Sequence, residues 1–461
     1  MTQPQARAGT VGLAASLAAG LILLALIAGI GSGAVDAAPV GPAAAEGDLD
    51  ATFGAGGLVT TTVGLQADAR AVVVQGDGKI VVAGSRLSPD YETGAALARY
   101  LPGGTLDPDF GTGGLATEPA PPGTVAVCRD VALQTDGKIV CAGFAATAGR
   151  SHFLLARYRA DGSLDPAFGS GGVVTTAINS QDSASAVLIQ PDAKIVVAGS
   201  SRDALNNSLG FALARYLPGG GLDPAFGTGG VVVTPVSGNW DAAFALARQA
   251  DGKIVAGGRA GSDGVTEFAL ACYLPGGGLD PAFGSGGIAT TSLGGYNAIS
   301  ALGQQSGGQF VAVGVHDAGG REQAALARFT AVGALDTTFG SGGTTLTLVG
   351  EVGSPAEDAL VLSGDGIAVA GSSRTAAGSD LMLLRYTPGG QLDPAFGAGG
   401  VVTTSLAIGP AYGRGVAQQR DKLIAAGDVQ LTAGLDADSV FVVARYFGGQ
   451  VTQVYLPLVL R

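Results

Sequence analysis

Short apolar runs rich in Val, Ile, Ala and Leu, separated by clusters of Gly, Pro, Asp and Asn, recur along the chain from residue 47 onward. The stretch after Leu164 shows the pattern most plainly. Asp165-Pro166-Ala167-Phe168-Gly169-Ser170-Gly171-Gly172 leads into Val173-Val174-Thr175-Thr176, and a polar loop through Asp182 follows. A second run, Ala186 to Ile189, reaches the turn Pro191-Asp192-Ala193-Lys194 and a third run, Ile195-Val196-Val197-Ala198-Gly199. A variable loop then leads to Phe211-Ala212-Leu213-Ala214-Arg215-Tyr216. Runs this short, bounded by turn residues, predict four β-strands. No segment of useful length after residue 47 places its apolar residues at helical spacing.

The unit repeats. Leu-Asp-x-x-Phe-Gly-x-Gly-Gly returns with its Asp at positions 50, 107, 165, 223, 280, 336 and 393, always 56 to 58 residues apart. Such a unit buries its sheet only by stacking against copies of itself. The expectation is an all-β, seven-bladed β-propeller with four antiparallel strands in each repeat of ~57 residues. A straight β-solenoid is the rival, but its coils are shorter, at about 20 to 30 residues. The propeller would occupy residues 47–449, after a segment at 1–38 and a short linker at 39–46. The apolar tail 450–461 would be a closing strand or an attachment tag.

Between the second and third strands lie Gly76-Asp77-Gly78-Lys79, Thr135-Asp136-Gly137-Lys138 and Ala250-Asp251-Gly252-Lys253, which suit two-residue type I′ hairpins. With that turn Cys141 faces Ala132, and Cys128 stands four residues further on, roughly 13 Å away. That exceeds the reach of a disulfide. Cys141, in line with Val82 and Val197, then reads as a small core residue.

Each fourth strand ends in Ala-Arg-Tyr or a close variant, with its Arg eight residues before the next Asp: Arg99 and Asp107, Arg157 and Asp165, Arg215 and Asp223, Arg328 and Asp336, Arg385 and Asp393. An Arg among apolar neighbours needs a carboxylate, so these read as structural charge pairs. Cys272 replaces the Arg that would serve Asp280. Arg445 has no following phrase, so a closed ring must bring Asp50 to it.

Three ordered motifs, Leu-Asp-Pro-Ala-Phe-Gly, Asp-Gly-Lys-Ile-Val and Leu-Ala-Arg-Tyr, resemble those of the delta-60 repeat proteins over residues 47 to 449. The resemblance implies a bacterial, often exported β-propeller. It implies no activity, cofactor or catalytic residue.

Composition narrows the function. A net charge of −12 with 25 Lys plus Arg, and no basic stretch, excludes a nucleic-acid partner. Arg7, the apolar run Val11 to Ile30 and the Val35-Asp36-Ala37 site read as an export signal or a retained membrane anchor, which predicts a secreted or cell-surface location. The N-terminal segment, if uncleaved, is the one expected membrane contact. Two histidines, His152 and His316, give no material for a zinc site or a triad. The paired acids Asp48 and Asp50, or Asp436 and Asp438, read as turn residues, and neither metal nor cofactor is expected.

Up-and-down strands place the variable loops on one face. That face carries Tyr91, Trp240 beside Asn239 and Asp241, Tyr296 beside Asn297, and Tyr412, a set suited to a glycan or a protein partner. The expectation is a monomeric, exported, non-enzymatic binding or scaffold protein. An extracellular enzyme acting on polysaccharide or ester is one alternative, and a structural adhesion or surface-layer component is another.

Overall fold

The computed structural model describes residues 44 to 448 apart from 118–123, 206, 239, 263 and 432–438. The expected signal or anchor, most of the linker and the tail 450–461 lie outside the described residues, as do Asn239, Asp436 and Asp438. The described residues form twenty-eight strands and no helix, so no helix there is long and apolar enough to cross a membrane.

The strands assemble as antiparallel four-strand sets. Gln181–Ile189, Ile195–Arg202, Ser208–Tyr216 and Val231–Thr234 form one of them, in chain order. Its fourth strand belongs to the next sequence repeat, so repeat and sheet are out of step by one strand. Five sets stand as separate sheets, and a single parallel bridge, Gln181 to Ser151, joins the other two into one of eight strands.

The one-strand offset leaves Leu58–Thr61, the first strand of all, without a sheet in its own repeat. It completes the last sheet instead, antiparallel to Ser439–Phe447, with Leu58 opposite Ala444 and Thr61 opposite Phe441. The fourth position of that sheet is therefore held by a strand from the first repeat. Asp50 lies 2.9 Å from Arg445. The Gly397 amide, whose equivalents bond to the turn just before the next repeated phrase, donates to the Glu46 carbonyl, just before the first phrase, at 2.8 Å.

Alternate residues of one strand pack on different neighbours. Ile80 and Val82 share a core with Ile424, Ala426 and Phe441, whereas Val81 and Ala83 pack with Val131 and Cys141. Both faces are covered, which is why the third run of each repeat reads as continuously apolar.

The repeated phrase joins one sheet to the next. Asp165 accepts the Ala167 amide on Oδ1 at 3.1 Å, making the turn, and Arg157 Nε on Oδ2 at 2.9 Å. The same guanidinium lies 4.4 Å from the centre of the fully buried Phe168 ring and donates through Nη1 to the Pro218 carbonyl, 61 residues on, at 2.5 Å. Gly172 closes the phrase with φ +102°, where a Cβ would meet that of Leu164 at 2.8 Å. The separations are 2.8 Å for Arg99 and Asp107, Arg215 and Asp223, Arg328 and Asp336, and Arg385 and Asp393. Where Cys272 replaces the Arg, Asp280 keeps as ion-pair partner among the described residues only the hairpin lysine, Lys253 at 3.1 Å, a contact that Lys79 and Lys194 make with Asp107 and Asp223 at 3.0 and 3.3 Å beside their arginines. Burial, with the Asp280 charge adding, pushes the Cys272 thiol up to about 12, so it stays an inert core group.

Two expectations about the hairpin fail together. The turn has three residues, not two: Gly137 donates to Gln134 O at 2.9 Å and Gln134 donates to Lys138 O at 2.8 Å, with Gly137 alone of the three at positive φ, 83°. This is a type I turn closed by a left-handed Gly rather than type I′. It moves the register by one, so that Cys141 faces Val131. A β-bulge between Cys128 and Asp130 removes another step and sets Cys128 opposite Gly143. The two cysteines become diagonal neighbours on one face, with Cα atoms 5.8 Å apart, and they form a disulfide. Cys141 is therefore not the lone core residue expected.

Candidate functional site

The bulge that moves Cys128 occurs at the same place in the innermost strand of every set. Ala69 pairs with Gly84 and Ala71 with Ala83, which leaves Arg70 unpaired between them. The equivalent shifts fall at residues 129, 185, 244, 300, 357 and 414. A bulged residue escapes the ladder and its side chain is re-aimed. Opposite each bulge stands a glycine: 84, 143, 199, 258, 314, 371 and 427. A Cβ on Gly84 would lie 1.9 Å from the Asp68 carbonyl oxygen, and one on Gly427 1.8 Å from that of Tyr412, so no side chain fits.

The bulged side chains line one cavity of 460 Å³ between the inner strands. Four residue types fill the seven positions. Arg414, Arg70 and Arg129 come from three sets, Ser185 and Ser300 from two more, and Phe244 and Glu357 from the others.

The guanidiniums differ in how they are answered. Arg414 meets Glu357 at 3.1 Å and Asp428 at 3.5 Å. Arg70 is paired with Asp68. Arg129 donates to Ser185 Oγ at 3.5 Å, stacks 5.1 Å from the Phe144 ring centre and, among the described residues, is in no ion pair. Desolvation inside the channel, with the like charge of Arg70 adding, pulls its pKa below the ordinary arginine value. The neighbouring carboxylates serve the backbone: Asp130 accepts the Val131 and Val187 amides at 2.8 Å, and Asp358 accepts those of Ala359 and Val416 at 2.8 and 2.9 Å. Each Asp thus pins its inner strand to the next one.

Asp428, in the strand Lys422–Gln430, is a carboxylate pushed toward neutrality. Burial, opposed by Arg414 and helped by Asp68, pushes its carboxyl up to about 7. An Asp raised in the folded state lowers stability as pH climbs: between the unfolded value near 4 and about 7 the unfolded chain gives up a proton that the native protein keeps. Asp428→Asn should therefore melt with wild type at pH 4 and above it at pH 8, by about 2 kcal/mol, since Arg414 retains Glu357. Thermal melts of both proteins across that range would refute the assignment if their difference did not grow with pH.

The residues expected at the site are only partly gathered. Tyr296 lines the channel. Its hydroxyl accepts Arg259 Nη1, and that guanidinium sits 5.8, 5.4 and 5.5 Å from the ring centres of Trp240, Phe244 and Tyr296. Asp241 is buried, and it accepts the amides of Val236 at 2.9 Å, Ser237 at 3.0 Å and Gly261 at 3.2 Å. Asn297 is likewise buried, bonded to Thr266 O at 2.6 Å and to His316 Nδ1 at 2.8 Å. Those two hold loops. Tyr412 lies on Arg414, 5.7 Å from ring centre to guanidinium, and Tyr91 stands 78% exposed in the hairpin turn of the first sheet. Asp48 bonds the Ala45 amide at 2.7 Å while Asp50 holds Arg445.

Sequence reasoning missed the bulge ring, although one signal was present. The glycine that ends the third run, as in Ala83-Gly84, Ala198-Gly199 and Val313-Gly314, marks the backbone approach that each bulge requires.

No curated protein matches the chain. Among solved structures it is similar to Sqt1 of Chaetomium thermophilum bound to the N-terminus of ribosomal protein L10, at 10% identity and a TM-score of 0.44, covering 84% of this chain and 100% of that one. It is also similar to an ulvan lyase of polysaccharide lyase family PL25, at 9% identity and a TM-score of 0.40, covering 84% and 95%. Drosophila Semaphorin 2a gives 8% identity and a TM-score of 0.46, covering 88% and 76%. Residues 75–110, 134–168, 190–226, 249–283, 305–339 and 364–396 match the family described as Domain of unknown function (DUF5122) beta-propeller. Six repeats of this chain thus carry the signature of a β-propeller repeat family.

Proposed function

We propose that the chain is an exported, non-enzymatic binding protein of the cell surface. In this reading its repeats, of the delta-60 kind, close as seven four-stranded blades, and a glycan or protein segment binds in the axial channel on the bulge ring. One observation carries the reading: seven equivalent positions point three arginines, two serines, a phenylalanine and a glutamate into one cavity, while the Leu-Asp phrase recurs in every repeat around them. A repeated scaffold with non-repeating inward residues is how a binding site is specified without changing the fold. The Cys128–Cys141 disulfide supports export, because such bonds persist in oxidising compartments.

A specific feature keeps the enzyme alternative in view. Asp428 and Glu357 flank Arg414, and the raised Asp428 would suit a general acid. Asp428 is buried and does not line the cavity, which favours binding over turnover.

Glycan-array and surface-polymer pull-down screens of the full secreted chain test the proposal. A ligand found this way should lose about tenfold or more in affinity with Arg70→Ala plus Phe244→Ala and be little affected by Tyr91→Ala. Dependence on Tyr91 alone would move the site to the loops. Release of shortened or de-esterified product, abolished by Glu357→Gln, would replace the binding reading with the enzymatic one.

A further inference from the structure

We propose that Arg129 anchors one singly charged oxyanion group, a carboxylate or sulfate ester, on a saccharide whose ring lies against Phe244. The proposal rests on the channel being the ligand site and adds the chemical class of what enters it.

Charge accounting selects Arg129. Of the three guanidiniums in the cavity, Arg414 has two carboxylates and Arg70 has one, while Arg129 faces a serine hydroxyl. The acid next to it in sequence, Asp130, is occupied by two backbone amides. A guanidinium in no ion pair among the described residues, with Asp68 acting on it only at longer range, gains most from an incoming anion. Arg259 is also in no ion pair among the described residues, but it is stacked on Trp240, Phe244 and Tyr296 and is not part of the cavity wall; on the wall itself a single guanidinium outside an ion pair matches a monoanion. The second charge of a phosphate monoester would find Arg70 already neutralised by Asp68.

The anchor is also held in place. Arg129 sits on a bulge directly after Cys128, whose disulfide fastens that strand to its neighbour, and its guanidinium rests on Phe144. A cation fixed this way loses little freedom on binding. Ser185 Oγ adds a hydroxyl at the same spot. Elsewhere in the cavity Phe244 and Tyr296, each with the Arg259 guanidinium against one side of its ring, supply aromatic wall, and Ser300 a further hydroxyl. Rings for the apolar face of a sugar, hydroxyls for its rim and one cation for its acid describe an acidic saccharide better than an acidic peptide. The 460 Å³ cavity suits a unit of about two sugar rings.

Calorimetric titration of the full secreted chain with oligogalacturonate, its methyl ester and a sulfated galacto-oligosaccharide tests the assignment. One acidic probe should bind about tenfold or more tighter than the methyl ester, more weakly as salt rises, and identify which oxyanion is preferred. Arg129→Ala should erase that preference while leaving residual binding of the methyl ester and the melting temperature unchanged, and Arg129→Lys should restore part of it. Equal affinity for acid and ester, no binding of either acidic probe, or an acidic peptide competing as well as the saccharide would overturn the proposal. If neutral probes bind and Phe244→Ala abolishes that binding while Arg129→Ala changes nothing, the anion anchor is wrong and the channel reading survives. If neither variant affects a bound probe, both readings are wrong.

Discussion

A chain that begins at Thr62 is expected to lose its cooperative melting transition at room temperature. The removed segment is short, but it supplies the outer strand Leu58–Thr61 of the last sheet, the fully buried Phe53 and the carboxylate of Asp50. Losing a buried phenyl ring costs about 3 to 5 kcal/mol, and stranding a buried guanidinium such as Arg445 costs a similar amount. Together these approach the ~5 to 15 kcal/mol that holds a typical protein folded. Burial of Asp50 works against its charge, but the Thr52 bonds with Arg445 and Lys422 outweigh it and keep the carboxyl below the usual range. The ion pair is therefore intact at neutral pH.

Loss of folding alone would not separate the pairing of Leu58–Thr61 with the last sheet from general damage, and a permuted chain does. Gly47 donates to the Phe447 carbonyl at 2.8 Å, and Phe447 donates to that of Asp48 at 2.9 Å. The segment can thus be reattached after Gly448 by a short linker, with the chain starting at Thr62. This permutant contains the same strand and the same pairs, and should regain most of the lost melting temperature. If the truncated chain melts like the full one, or the permutant fails while circular dichroism shows its strands formed, the strand exchange between first and last repeats is not what holds the array.

The residues legible in the sequence are those whose task is both local and repeated. Asp165 binds an amide two residues on and an arginine eight residues back, so its identity and both offsets survive from repeat to repeat. The strands of the third repeat appear where the apolar runs predict them, each inner run extended into its polar flank, as with Gln181–Ile189. Register was not legible, because a three-residue turn and a two-residue turn share the same Asp-Gly, and an inserted bulge residue leaves composition unchanged. Those two single steps separate a disulfide from two distant thiols. Among the expected ligand contacts, Asp241 and Asn297 look in sequence like polar neighbours of an exposed ring. Only the folded loops show their side chains turned onto backbone groups. The bulged positions escaped for the opposite reason: no one residue type marks them, with Arg, Ser, Phe and Glu among the seven, and their shared position is written in the glycine across the strand.

Replacing Cys128 and Cys141 by alanine should lower stability by about 3 kcal/mol. The bridge spans a sequence separation of 13, and a cross-link of that loop size removes roughly this much chain entropy from the unfolded state. Both sulfurs are buried, so the alanines also leave small cavities and the estimate is a floor. The effect should reach the channel, since Cys128 precedes the bulged Arg129 and the bond ties that bulge to the second strand of its sheet. Reductant should shift the melting temperature of wild type and leave the double variant unmoved. Cys272→Ser should still respond to reductant, because its thiol is buried in another sheet and is free of the bridge. Alkylation under native conditions, read by mass spectrometry, should label neither Cys128 nor Cys141 until reductant and denaturant are both present. Labelling of both in the untreated native protein would mean that the bulge positions Arg129 without the cross-link. Unchanged melting of the double variant would mean that strand pairing alone sets the stability of the second sheet.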